Sequence, residues 1–123
     1  MAMFNRYTGL TVLWALMAGS AFAMPPAEDT KARALLTRIE TARDVSFIRN
    51  GSEYTAANAA EFLRRKCARD WDRLASARAF ISTCASQSST SGKPYLIKLA
   101  GAAPRPSAEV LGEWLDVIEH NTK

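Results

Sequence analysis

The sequence predicts an α+β fold. One small domain runs α-β-β-α-α-β-α, with a small, mostly antiparallel sheet packed on helices. Three observations predict it. Apolar residues recur at helical spacing in four segments. Asn50-Gly51 stands between two β-prone runs. Tyr95, Ile97 and Leu99 alternate with Leu96 and Lys98, the period of a half-buried strand.

Residues 1–23 are expected to stand outside that domain. Arg6 precedes an apolar run from Leu10 to Ala18, and Ala21-Phe22-Ala23 closes it with small residues where a signal peptidase needs them. This predicts a secretory signal cleaved after Ala23. The run is too short to span a bilayer comfortably, so no membrane span is expected in the mature chain. The Met24-Pro25-Pro26 start predicts an extended lead over residues 24–30, with the single α+β domain at residues 31–123. About 100 mature residues suffice for one core and not for two.

Asp29 or Thr30 is expected to cap a first helix over residues 31–42, with Ala32, Leu35, Leu36 and Ile39 on its apolar face. Residues 45–49 and 52–55 form a hairpin around Asn50-Gly51, because both residues of a two-residue turn need positive φ. That turn sets Phe47 opposite Tyr54. Asn50-Gly51-Ser52 also matches a glycosylation sequon, which the turn alone explains. Thr55 caps a helix over residues 56–74, whose Leu63, Cys67, Trp71 and Leu74 face inward. Ser76 caps another over residues 77–86, with Ala77, Phe80, Ile81 and Cys84 inward. Pro94 cannot donate to a ladder, so it belongs at the start of the 95–99 strand or on an edge. Residues 101–106 read as a loop. Ser107 caps the last helix, residues 108–120, with Val110, Leu111, Trp114, Leu115 and Ile118 on its apolar face.

The formal charge is +4, and loss of Arg6 leaves about +3. No dense basic stripe exists, so nucleic acid is not an expected partner. Two cysteines and one histidine supply a metal site poorly, and no metal or cofactor is expected. Cys67 and Cys84 lie at near-equal distances from the Ala75-Ser76 turn and on the apolar stripes of two helices. In an oxidising compartment that register favours a Cys67–Cys84 bridge.

Chemistry is hinted at in residues 86–93. Ser86, Ser88, Ser89, Thr90 and Ser91 precede Gly92-Lys93. A P-loop is excluded, since its first Gly is missing and Pro94 replaces the residue that would hold magnesium. Nor is the stretch a good Ser-x-x-Lys motif, because Thr90 stands where Ser is needed. The competing reading is a helix C-terminal loop whose hydroxyls satisfy local backbone groups. Arg64, Arg65, Lys66 and Arg69 form either an anion-binding face or an ordinary solvated one. Asp70 and Asp72 cannot face each other on a helix, and His120 sits near the chain end, so no acid/base dyad or nucleophile–base pair is evident.

Blocks occur in a recognisable order: Phe47-Ile48-Arg49-Asn50-Gly51, Phe62-Leu63-Arg64-Arg65-Lys66, Ala79-Phe80-Ile81, then residues 85–98 including Ser86-Gln87-Ser88-Ser89-Thr90-Ser91-Gly92-Lys93-Pro94-Tyr95. Taken together they resemble the YfeK-like family, small bacterial periplasmic proteins of unknown function. The resemblance covers roughly residues 31–98. It implies export, a Gram-negative source and a periplasmic location, and no established activity. If the shared residues form a site, it comprises Arg49, Asn50, Lys66, Ser86, Ser88, Ser89, Ser91, Gly92, Lys93 and Tyr95. The chain departs from the family pattern at Phe62, often His; at Arg78, usually Glu; and at Cys67, usually Leu. The first departure argues against essential His chemistry, and the last makes the disulfide a local elaboration.

The resulting expectation is a non-enzymatic periplasmic binding or interaction module. Arg49, Lys66 and Lys93 would gather near the serine loop and hold an anionic cell-envelope component, or another periplasmic protein. The alternatives are a small serine hydrolase using a Ser of the 86–91 loop with Lys93 as base, and a loop that is purely structural.

Overall fold

A computed structural model describes residues 24–122. The expected signal segment, residues 1–23, lies outside the described residues. The architecture is the expected α+β domain. Helices α1 (Pro26–Glu40), α2 (Ala56–Cys67), α3 (Ala77–Cys84) and α4 (Ser107–Asn121) combine with strands β1 (Val45–Arg49), β2 (Ser52–Tyr54), β3 (Leu96–Leu99) and β4 (Arg105–Pro106). The sheet is antiparallel throughout, in the order β2-β1-β3-β4. No helix among the described residues is long and apolar enough to cross a membrane.

The hairpin forms as the residues dictate. Asn50 (φ 51°) and Gly51 (φ 83°) both adopt the left-handed conformation, and Phe47 pairs with Tyr54. On its other side β1 pairs with β3, so Phe47 also faces Ile97. Phe47 and Ile97 are buried with Leu35, Ile39, Phe80, Val110, Leu111 and Leu115 in one core.

Four boundaries correct the sequence reading. The lead over residues 24–30 is not extended: α1 begins at Pro26. Proline is tolerated in the first helical turn, where its missing N–H costs nothing. Tertiary bonds then hold that turn in place. Glu28 accepts the Ala77 N–H at 3.0 Å and pairs with Lys31 at 2.9 Å, and Asp29 accepts from the Trp71 indole at 2.6 Å. Neither Asp29 nor Thr30 is a cap; Thr30 Oγ1 donates back to the Pro26 carbonyl. Met24 is buried, so the core begins one residue past Ala23.

The second helix ends at Cys67 rather than Leu74 and passes into a short 3₁₀ turn over Trp71–Arg73. Trp71 packs tilted against Phe80, ring centres 5.7 Å apart, while bonding Asp29, and these two partners draw the indole out of the helical path. Thr55 and Ser76 cap α2 and α3 as expected, each accepting a backbone N–H three residues on. The 101–106 segment is not all loop. Arg105 and Pro106 form β4, too short for any periodicity, with Pro106 on the sheet edge. Ser107 is not a cap either: it is buried within α4 and its hydroxyl donates to the Ala85 carbonyl.

Cys67 and Cys84 are bonded, with Cα atoms 5.8 Å apart. The bridge joins the C-terminal ends of two helices rather than the middle of an antiparallel pair. Both residues are buried. Closing this loop contributes about 3 kcal/mol in the chain-entropy model.

Glu28 ties three elements together, because Lys31 also reaches Glu119 on α4. The Ala77 N–H, and then Lys31, hold its carboxyl below the usual range. A depressed folded-state pKa stabilises above the unfolded value and loses that contribution as pH falls through the folded one. Glu28→Gln is therefore expected to lower Tm by a few degrees at pH 7 and by much less at pH 3. Equal loss at both pH values in thermal melts would refute the assignment.

Candidate functional site

The structure divides the ten site candidates into two neighbouring groups. The first surrounds the tip of the hairpin. Ser88 is buried, and its hydroxyl oxygen accepts the N–H groups of Thr90 and Ser91, both at 3.3 Å. The Ser88 carbonyl accepts from Gly92 N at 2.9 Å, and the Ser88 N–H donates to the Lys93 carbonyl at 2.9 Å. Ser91 Oγ accepts from Lys93 N at 3.2 Å and donates to Asn50 Oδ1 at 2.6 Å. Asn50 Nδ2 faces Ser88 Oγ at 3.4 Å. Gly92 supplies the positive φ of 74° that lets the loop close on itself.

This loop is self-satisfied. The amides of Thr90, Ser91, Gly92 and Lys93, which an anion cradle would need, are already donating. Ser86 likewise serves its surroundings: its hydroxyl donates to the Ile81 carbonyl at the end of α3, and its carbonyl accepts from Tyr95 N. Ser89 and Lys93 are exposed. Among the described residues no hydrogen bond links Lys93 Nζ to any serine of the loop, so the geometry lends no support to Lys93 as a base.

The second group is built on aromatic rings. Strand alternation turns Arg49 to the same face as Phe47. There its guanidinium lies 4.3 Å from the Phe62 ring centre and 5.0 Å from that of Tyr54, and it donates to Tyr54 Oη at 3.1 Å. Phe62 meets Tyr95 edge to face at 6.1 Å. Lys66 sits 4.6 Å from the Tyr95 ring centre and donates to Tyr95 Oη at 2.7 Å and to the Gln87 carbonyl at 2.8 Å. The result is a ladder: Arg49, Phe62, Tyr95, Lys66.

A cavity of about 300 Å³ opens beside the Arg49 end of this ladder. Arg49, Tyr54, Phe62, Tyr95 and the half-buried Leu96 line it, with Phe47, Leu63 and Leu111 buried behind them and Asn58, Glu61 and Arg65 at exposed positions. Glu61 is paired with Arg65 rather than with Arg49. At the floor, the Ser107 hydroxyl and N–H are spent on the Ala85 and Tyr95 carbonyls. The walls are thus mainly apolar, and of the two guanidiniums among them Arg49 is the one without a carboxylate partner, with donors left unused.

Lys66 and Lys93 do not line this cavity. Lys66 is taken up by the Ser86–Gln87 turn, so the expected convergence of three cations reduces to Arg49 alone. Sequence reasoning missed Tyr54, Phe62, Leu96 and Leu111 as cavity walls. One signal was available: period-two alternation places Arg49 on the core side of β1, an unusual place for an unpaired charge. Among the described residues no cluster of His, Cys, Asp or Glu is disposed to hold a metal ion.

A structural serine loop means that Ser88→Ala takes the shared acceptor away from the Thr90 and Ser91 N–H groups. The expected cost is about 0.5–1.5 kcal/mol, read as a lower midpoint in urea. An unaltered midpoint would disprove that role.

The chain was also compared with known proteins. It is 35% identical over 68 residues to an uncharacterised protein, YfeK, of Salmonella typhimurium; the match covers 55% of this chain. It spans 57% of that relative's length. No solved structure matches the chain. The model of a family of unknown function, DUF5329, matches residues 26–119, which reach from the first turn of α1 to the last turns of α4. The chain belongs to this DUF5329 family.

Proposed function

We propose that the chain is an exported, non-enzymatic binding module whose ligand places an anionic group against Arg49. One observation carries the reading. The Arg49 guanidinium lines an aromatic-walled cavity, spends a single hydrogen bond on Tyr54, and meets no carboxylate among the described residues. A cation in a mainly apolar recess is unfavourable unless something pairs with it, and a bound anion supplies the pair. The ring faces of Phe62 and Tyr54 hold the guanidinium in place beforehand, which lowers the ordering cost of binding.

The non-enzymatic half rests on the cavity's chemistry. Its one aliphatic hydroxyl, on Ser107, is committed to the Ala85 carbonyl, and the walls carry neither histidine nor cysteine. Export rests on the sequence of residues 1–23, and the bonded Cys67–Cys84 pair suits an oxidising compartment. The ligand would then come from the anionic components of the cell envelope.

An NMR titration of the folded domain with a panel of small carboxylates, phosphates and sulfates checks the site. Resonances of Arg49, Tyr54, Phe62 and Tyr95 are expected to move together. Shifts confined to residues 88–93, or none at all, would sink the reading. Export is tested by expressing the full chain in a Gram-negative host. A periplasmic product whose intact mass starts at Met24 is expected; an uncleaved cytoplasmic product would remove the first half of the proposal.

A further inference from the structure

Resting on that reading, the geometry points to a specific ligand class: we propose that the cavity takes a monocarboxylate carried on a short apolar body. Size sets the first limit. At about 30 Å³ for each water-sized unit, roughly ten non-hydrogen atoms fill such a space. An eight-carbon carboxylate has about that many.

Charge sets the second limit. Arg49 is the cavity's unneutralised cation, because Arg65 is paired with Glu61. One guanidinium matches one carboxylate through two parallel N–H donors. A dianion or a phosphomonoester would bring more charge than this single group offsets. It would also sit near the Glu61 carboxylate, which lines the same cavity.

Polarity sets the third limit. Beyond Arg49 the buried walls come from Phe47, Leu63 and Leu111, and the Ser107 and Tyr95 backbone groups at the floor are bonded to each other. A hydroxylated body, such as a sugar acid, would leave its own hydroxyls unpaired there. An alkyl or aryl-alkyl chain leaves nothing unpaired. The ligand therefore enters tail first and keeps its carboxylate at Arg49, beside Tyr54 and Phe62.

Calorimetry with octanoate and 1-octanol on the disulfide-bonded mature domain tests this class. Octanoate is expected to bind at least about ten-fold more tightly than octanol, the effect of one net charge-assisted contact. Arg49→Met keeps an apolar stem and removes the charge. It is expected to abolish the preference, bringing octanoate and octanol to within about two-fold of each other. Should that variant fail to fold, Arg49→Lys serves instead: it retains charge without the two-donor fork, and the preference is expected to fall without vanishing. Equal affinity of the unaltered domain for both probes overturns the carboxylate class. So does a preference that survives Arg49→Met. If octanoate does not bind while other anions still move the cavity resonances, the class is overturned and the binding module stands. If no anion moves them, both fail.

Discussion

The hairpin turn at Asn50-Gly51 constrains the rest of the molecule. With both residues at positive φ, two residues reverse the chain and the strand register has no slack. Side chains alternate with period two, so a one-residue slip would carry Phe47 to solvent and take Arg49 off the core side. In the observed register Phe47 is held between Tyr54 and Ile97, on the two strands that flank β1. The same register carries Asn50 to Ser88 and Ser91, so the tip of the hairpin and the serine loop brace each other. An asparagine is well suited to that place. It tolerates the left-handed conformation and offers a donor and an acceptor to the two hydroxyls.

The helices depend on polar anchors at their ends as much as on their apolar stripes. Glu28 caps α3 from a different element and shares Lys31 with Glu119. Asp29 fixes the indole of Trp71, which packs on Phe80. These contacts convert a proline-led stretch into the first turn of α1. At the opposite side Cys67–Cys84 joins two helix ends just before the chain enters the 3₁₀ turn and the serine loop. The segments of least regular structure thus leave from cross-linked points.

Three basic residues of similar appearance in the sequence meet three different fates. Lys93 extends into water, and only its backbone is used by the loop. Lys66 binds a carbonyl and a phenol, fastening α2 to the Gln87 turn. Arg49 rests on ring faces, where each cation–π contact is worth about 0.5–2 kcal/mol depending on desolvation. Of the three, only Arg49 combines a held geometry with donors left over, and the proposed anion site rests on that combination.

Much of this was legible in the sequence because it depends on local physics. Helical spacing identified the buried faces of α1 and α3; turn chemistry placed the hairpin and its Phe47–Tyr54 pair; Thr55 and Ser76 announced their caps. The cysteine pair was also legible, although through a helix register that does not exist, since α2 stops at Cys67. What the sequence concealed depends on partners distant along the chain. Pro26 is helical because Glu28 and Asp29 find Ala77 and Trp71; Ser107 is buried because Ala85 needs a donor; β4 exists because β3 offers a free edge. The site divides in the same way. Residue types alone singled out the serine loop, whose polar groups turn out to satisfy one another. The cavity required Phe62 from α2 to meet Arg49 and Tyr54 from the hairpin, and no local pattern encodes that meeting. By itself the sequence determined the apolar helix faces, the hairpin register and the supply of cations; tertiary packing decided where α1 and α2 are bounded and which cation keeps unpaired donors, because hydrogen bonding is settled by what lies nearby in space.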